Sequence, residues 1–116
     1  GNISYYLAKL LKAIGAEFQI YPVNELEKKF LLLEGYKLAD FNSFDVVINT
    51  IPKEQDWDYE KFRGKRIIEV SSFPYGFDIE KLTDLGIRYE IISAIPSKYA
   101  PVSAANIMKK SIEKIL

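Results

Sequence analysis

The chain has no cysteine and no histidine among its 116 residues, and each absence closes off a class of chemistry. Without cysteine there is no disulfide, no thiolate metal site and no thiol nucleophile, a composition that fits the cytoplasm. Without histidine the chain lacks the commonest general base and the commonest metal ligand, so a histidine-based hydrolase triad is excluded within it. Net charge is absent too: 16 basic residues balance 16 acidic ones. Nothing in that balance points to nucleic acid or to an acidic membrane surface. No apolar run reaches the ~18 residues of a transmembrane helix, and no signal-peptide pattern occurs. The expectation is therefore no metal, no nucleic acid and no membrane. Methionine occurs once, at Met108, and the sequence opens on Gly1. Gly1 is thus expected to be a cloning remnant or an internal residue of a longer chain.

What is present suits one compact domain. The chain is 48% hydrophobic and 14% aromatic, enough for a core that needs no disulfide or metal staple. Its organising stretch is Asp45-Val46-Val47-Ile48-Asn49-Thr50-Ile51-Pro52. Three consecutive β-branched residues without alternation predict a strand buried on both faces, as in a parallel sheet covered by helices. Ligands in open α/β sheets bind just beyond the carboxyl ends of such strands, which makes Thr50, Ile51 and Pro52 candidate site residues. The same residues also serve as an ordinary strand exit.

Around this centre, the period of Ile3, Leu7, Leu10, Leu11 and Ile14 predicts a helix ended by Gly15. Glu17 to Tyr21 alternates as a strand, and Asn24 caps a helix running to about Leu33. A short edge strand is expected at Tyr36–Leu38, and a short helix or turn within Glu54–Phe62. Arg66–Val70 reads as a strand, Ser71–Gly76 as a loop, and Asp78 as the cap of a helix to about Leu85. A strand over Ile87–Ile92, a loop at Pro96–Lys98 and a last helix from about Ser103 to Leu116 complete the order. Strands alternating with helices predict a three-layer, Rossmann-like α/β domain spanning 1–116, its sheet mostly parallel with helices on both faces.

A doubly wound nucleotide-binding half starts with a strand and a glycine-rich turn, and this sequence starts at the turn. Gly1-Asn2-Ile3-Ser4 fits the last four positions of G-x-G-x-x-G, with serine replacing the final glycine. Gly1, Asn2 and Ile3 are then backbone donors to a pyrophosphate at the helix N-terminus. In that register the first strand, at the centre of the sheet, is missing. Its neighbours would stand about 10 Å apart, twice the usual strand spacing. Four or five buried residues at roughly 1.5–3 kcal/mol each come to about 10 kcal/mol. A domain's net stability is only about 5–15 kcal/mol. The strand is accordingly expected upstream of Gly1 on the same polypeptide.

Three segments resemble the C-terminal, nucleotide-binding half of the family formed by the A subunits of dipicolinate synthase. Asp45–Pro52 is similar to its I-N-T-I-P strand exit. Ile68-Glu69-Val70-Ser71-Ser72-Phe73-Pro74-Tyr75-Gly76-Phe77-Asp78 resembles its D-x-A-S-x-P-G-G-x-D segment. Ala94 to Ile107 resembles its G-L-P-G-x-x-A-P-x-T-A-G-x-I segment. The resemblance implies a cytoplasmic NAD- or NADP-dependent oxidoreductase of spore formers, acting on a dihydrodipicolinate-type dicarboxylate. It also implies a preceding substrate-binding half, a partner in the form of a second synthase subunit, and room for a homo-oligomer. Ser71, Ser72 and Lys98 are the substrate-side candidates, and no residue stands out as a catalytic proton donor.

The sequence departs from the family at telling points. Ser4 replaces the third fingerprint glycine, Phe73 stands where the family has arginine, and Tyr75 replaces a glycine. Tyr21-Pro22-Val23-Asn24 offers neither the acid that suits NAD nor the arginine that suits NADP. These departures keep open a second reading, a Rossmann-like interaction or dimerisation module that has lost its cofactor. A 2-hydroxy-acid dehydrogenase type is disfavoured by the absence of histidine.

Overall fold

The computed structural model describes residues 2–39 and 43–92, with side chains from Ser4 onward. Helix α1 (Asn2–Ala13) is followed by α2 (Glu25–Leu33), strand β1 (Val46–Asn49) and a 3-10 turn (Tyr59–Phe62). Strand β2 (Arg66–Glu69), helix α3 (Ile79–Asp84) and strand β3 (Arg88–Ile91) complete the described part. The expected loop at Pro96–Lys98 and the helix from Ser103 lie outside the described residues.

The three strands form one parallel sheet in the order β1-β2-β3, with Ile48 level with Ile68 and Ile68 level with Glu90. Side chains alternate across it as strand geometry requires. On one face Ile68 and Val70, with Val46 and Ile48 against them, pack on Leu7 and Leu11 of α1. On the other, Ile67 and Val47 pack with Phe62, Phe77, Leu82 and Ile87. Helical layers therefore cover both faces, and β2 between them is sealed, with Ile67 at 0% exposure. The three-layer α/β architecture is the one the run at 45–49 predicts. Strand β1 itself, however, is only half-buried over Val46–Ile48, because among the described residues it lies at the sheet edge and β2 takes the buried place.

Each helix has a visible start or stop. The Asn24 side chain accepts from the Glu27 N–H at 2.8 Å, and Asp78 accepts from the N–H groups of Glu80 and Lys81. Such caps satisfy donors that a helix leaves open in its first turn. At the end of α1, Gly15 turns left-handed at φ +74°, and the Ala16 N–H closes on the Leu11 carbonyl at 3.0 Å. Beyond the last helical turn Ile14 is 41% exposed, so the apolar face of α1 ends one turn sooner than the periodicity predicts.

The strand expected over Glu17–Tyr21 is reduced to a single parallel bridge, Ile20 to Leu38. That bridge also accounts for the edge strand expected at Tyr36–Leu38. Ile20 donates to the Lys37 carbonyl and accepts from the Ala39 N–H, both at 2.9 Å. Backbone pairing extends along a strand only where a neighbour continues it, and among the described residues the neighbour is Leu38 alone. Among the described residues β1 is an edge strand. The Asp45 and Asn49 carbonyls face β2, accepting from Arg66 and Val70. By the two-residue period the N–H and C=O groups of Val46 and Ile48 face away from it.

Candidate functional site

Because all three strands run the same way, their carboxyl ends share one edge. Two loops leave it side by side, Thr50–Asp58 after β1 and Val70–Asp78 after β2. A carboxyl group ties them together. Glu69 ends β2 at 0% exposure and accepts four hydrogen bonds. The Asn49 amide donates to Oε1 at 2.7 Å, and the Ser71 N–H donates to the same oxygen at 3.1 Å. The Ser71 hydroxyl also donates to Oε1, and the Gly76 N–H donates to Oε2 at 3.2 Å. A buried carboxyl group is tolerated only when its acceptor sites are filled in this way.

Asn49 carries the link into the first loop. Its amide also donates to the Ile51 carbonyl at 2.9 Å, while its oxygen accepts from the Ile51 N–H at 3.3 Å. The second loop comes so close that side-chain atoms at Gly76 would not fit. A Cβ there would stand 2.1 Å from Asn49 Nδ2 and 2.5 Å from the Ile51 carbonyl. Trp57 adds a further tie, its indole N–H donating to the Gly76 carbonyl at 2.7 Å while its ring stacks on Phe77. Tyr21, just past the Ile20 bridge, meets the Trp57 ring at 5.1 Å.

Below this clasp the Tyr59 hydroxyl accepts from the Asp78 N–H and donates to Glu54. Burial, reinforced by the bond to Glu54, holds that hydroxyl protonated well above the usual tyrosine range. It is a structural post rather than an acid poised for proton transfer at neutral pH.

Of the residues expected at a site, Thr50, Ile51 and Pro52 do leave the carboxyl end of β1, and Ser71 lies buried beside them. Ser72 is exposed at the start of the next turn. Asn2 and Ile3 open α1, and no acidic residue occupies its first turn. Gly1 and Lys98 lie outside the described residues. The partners that sequence reading passed over are Glu69, Gly76 and Trp57. Glu69 had a signal, an acid inside the run Ile67-Ile68-Glu69-Val70. Among the described residues no acidic cluster suited to a metal occurs. A shallow depression of about 560 Å³ lies elsewhere, lined by Arg66, Arg88 and Glu90 at the amino ends of β2 and β3. It is the wrong end of a parallel sheet for a ligand, and Arg66 is paired there with Glu90 at 2.7 Å.

Parallel order, helices on both faces and two loops meeting at the carboxyl edge define the Rossmann-like class of α/β domain. Within that class the chain takes the fold of the dipicolinate synthase A subunit. It superposes on the A chain of dipicolinate synthase from Bacillus subtilis with a TM-score of 0.59 at 21% identity, over 90% of this chain and 38% of that one. The corresponding dipicolinate synthase structure from Bacillus halodurans gives 0.59 and 21% as well, over 90% of this chain and 39% of that one. This chain thus spans less than half the length of either. No family model matches it, and no curated protein matches it. No helix among the described residues is long and apolar enough to cross a membrane.

Proposed function

We propose that this chain is the dinucleotide-binding domain of an NAD- or NADP-dependent oxidoreductase resembling the A subunit of dipicolinate synthase. The observation that carries the reading is the pair of exit loops fastened together by Glu69 at the carboxyl edge of a parallel sheet, in a fold shared with that enzyme. Ligands of such sheets bind at this edge because the loops and helix N-termini converge there. The start of α1 suits a pyrophosphate: a helix N-terminus presents backbone N–H groups toward an anion, and no acidic residue of this first turn repels one. Gly1, Asn2 and Ile3 would supply those donors, with Thr50, Ile51 and Pro52 against the cofactor and Ser71, Ser72 and Lys98 toward the substrate.

When bound, the dinucleotide supplies the hydride chemistry. The chain's own task is to hold the two loops at a fixed separation and to exclude water from between them. Glu69, Asn49 and Trp57 do this without touching the reacting atoms. The proposed substrate is a dihydrodipicolinate-type dicarboxylate. The larger size of the solved chains supports a preceding substrate-binding half. A cytoplasmic, sporulation-linked setting and a second synthase subunit belong to the same reading.

Titration of the full-length protein with NADH and NADPH, read by cofactor fluorescence, tests it. Saturable binding of one of them, weakened by a bulky residue in place of Gly1, is the expected result. Failure of both to bind a folded protein moves the reading to an interaction module. One observation favours that alternative: Leu26, Phe30 and Leu33 form an apolar stripe on α2, exposed at 79%, 48% and 86%. A stripe at this spacing suits a second copy or another helix. Sedimentation of the Leu26→Glu variant would reveal it through loss of self-association.

A further inference from the structure

The loop after β2 carries two aromatic side chains that the fold does not need. Phe73 is 81% exposed, more than any other aromatic ring among the described residues, although it stands within three residues of the buried Gly76. Tyr75 is half-buried and meets the Phe73 ring edge-on, centroids 5.6 Å apart at 85°. Neither joins the two apolar clusters of the core. An exposed Phe contributes nothing to folding by burial, so its apolar face is available to something else.

Tyr75 adds a second, independent sign. Its φ is +71°, the one non-glycine residue in the left-handed region among those described. For a bulky side chain this backbone conformation is unfavourable, and glycine would adopt it freely. Strain of this kind persists where the surroundings enforce it, and it clusters at ligand-binding sites. Here the surroundings are known. The Tyr75 N–H donates to the Ser72 carbonyl at 2.9 Å, and the next residue is fastened by Glu69 and Trp57. The loop from Val70 to Phe77 contains no basic residue, so it offers an anion nothing by charge.

We propose that Phe73 and Tyr75 form an aromatic ledge at the carboxyl edge of the sheet, and that it receives the face of a planar ring in the ligand. The ligand class is a flat conjugated ring, aromatic or dihydropyridine-like, recognised here through its π-face and not through its carboxylates. At 81% exposure Phe73 keeps ring surface open beside its edge-to-face contact with Tyr75, as offset stacking requires. The ledge deepens the oxidoreductase reading and rests on it for the identity of the site. The ring is supplied either by the substrate or by the nicotinamide of the cofactor.

The test uses the full-length protein and four probes. Isophthalate carries two carboxylates on a planar ring, and hexahydroisophthalate carries the same two on a saturated one. NADH and ADP-ribose, which keeps the adenine but lacks the nicotinamide ring, form the second pair. The expected result is that one planar member binds about tenfold more tightly than its partner, the scale of stacking on a single aromatic side chain. Phe73→Ala should erase that preference, and Phe73→Tyr should restore it. Tyr75→Gly should raise the melting temperature while also weakening the planar probe, which a merely structural role would not produce. Preference within the isophthalate pair assigns the ring to the substrate, and preference within the NADH pair assigns it to the cofactor. Equal binding within both pairs, or no binding of any planar probe, overturns the ledge. Loss of both members of a pair alike in Phe73→Ala overturns it too. If isophthalate shows the Phe73-dependent preference while neither NADH nor NADPH binds, the ledge stands and the dinucleotide reading falls.

Discussion

Glu69 is the residue on which the carboxyl edge depends. Four donors converge on this fully buried carboxyl group, and the backbone N–H groups of Ser71 and Gly76 have no other acceptor among the described residues. Glu69→Gln keeps the shape but turns one acceptor into an NH2 group that faces N–H donors. An unsatisfied buried polar group costs about 1–3 kcal/mol, so urea unfolding of this variant should show a loss of that size. Glu69→Asp, a methylene shorter, should lose contact with Gly76 first, visible as a change in the amide resonance of that glycine. At this scale the sequence was legible where a residue acts alone. Asn24 and Asp78 announce themselves as caps, and Thr50 to Pro52 as a strand exit. Glu69 was not, because its meaning lies in donors 20 residues upstream and seven downstream that only the fold assembles.

Among the elements, α3 is six residues long, shorter than a helix that holds itself together in water. It persists because Leu82 is fully buried against Ile67 and Phe77 and because Asp78 closes its first turn. Asp78→Ala should cost about 0.5–2 kcal/mol by removing the cap. The loss should appear as faster amide exchange at Glu80 and Lys81 with little change at Ile67. Helix periodicity and caps made α1, α2 and α3 readable from the chain, to within a turn at Ile14. The segment at 17–21 was readable only as a tendency. Its alternation states which side chains could share a face, but pairing is decided by a neighbour, and among the described residues only Leu38 supplies one.

At the scale of the whole molecule, the described sheet has one strand flanked on both sides, β2, and two edge strands, β1 and β3. Among the described residues β2 is bonded on both flanks, while β1 is bonded only toward β2. Hydrogen exchange on this chain should therefore rank the Ile68 amide among the slowest and the Val46 and Ile48 amides well ahead of it. Uniform protection across β1 would mean that its outer edge is covered. The fold class was legible because a buried apolar run and strand–helix alternation admit few architectures. The clasp was not, since it joins two loops whose compositions look like ordinary turns. Its consequence reaches past stability into how such a chain can change over generations. Asn49, Glu69, Ser71 and Gly76 answer to one carboxyl group, so the effect of altering any of them depends on the state of the others. Random variation can explore the outward residues Ser72, Phe73 and Tyr75 one at a time, trying new ligands on an unmoving mount, while the mount itself is inherited as a block.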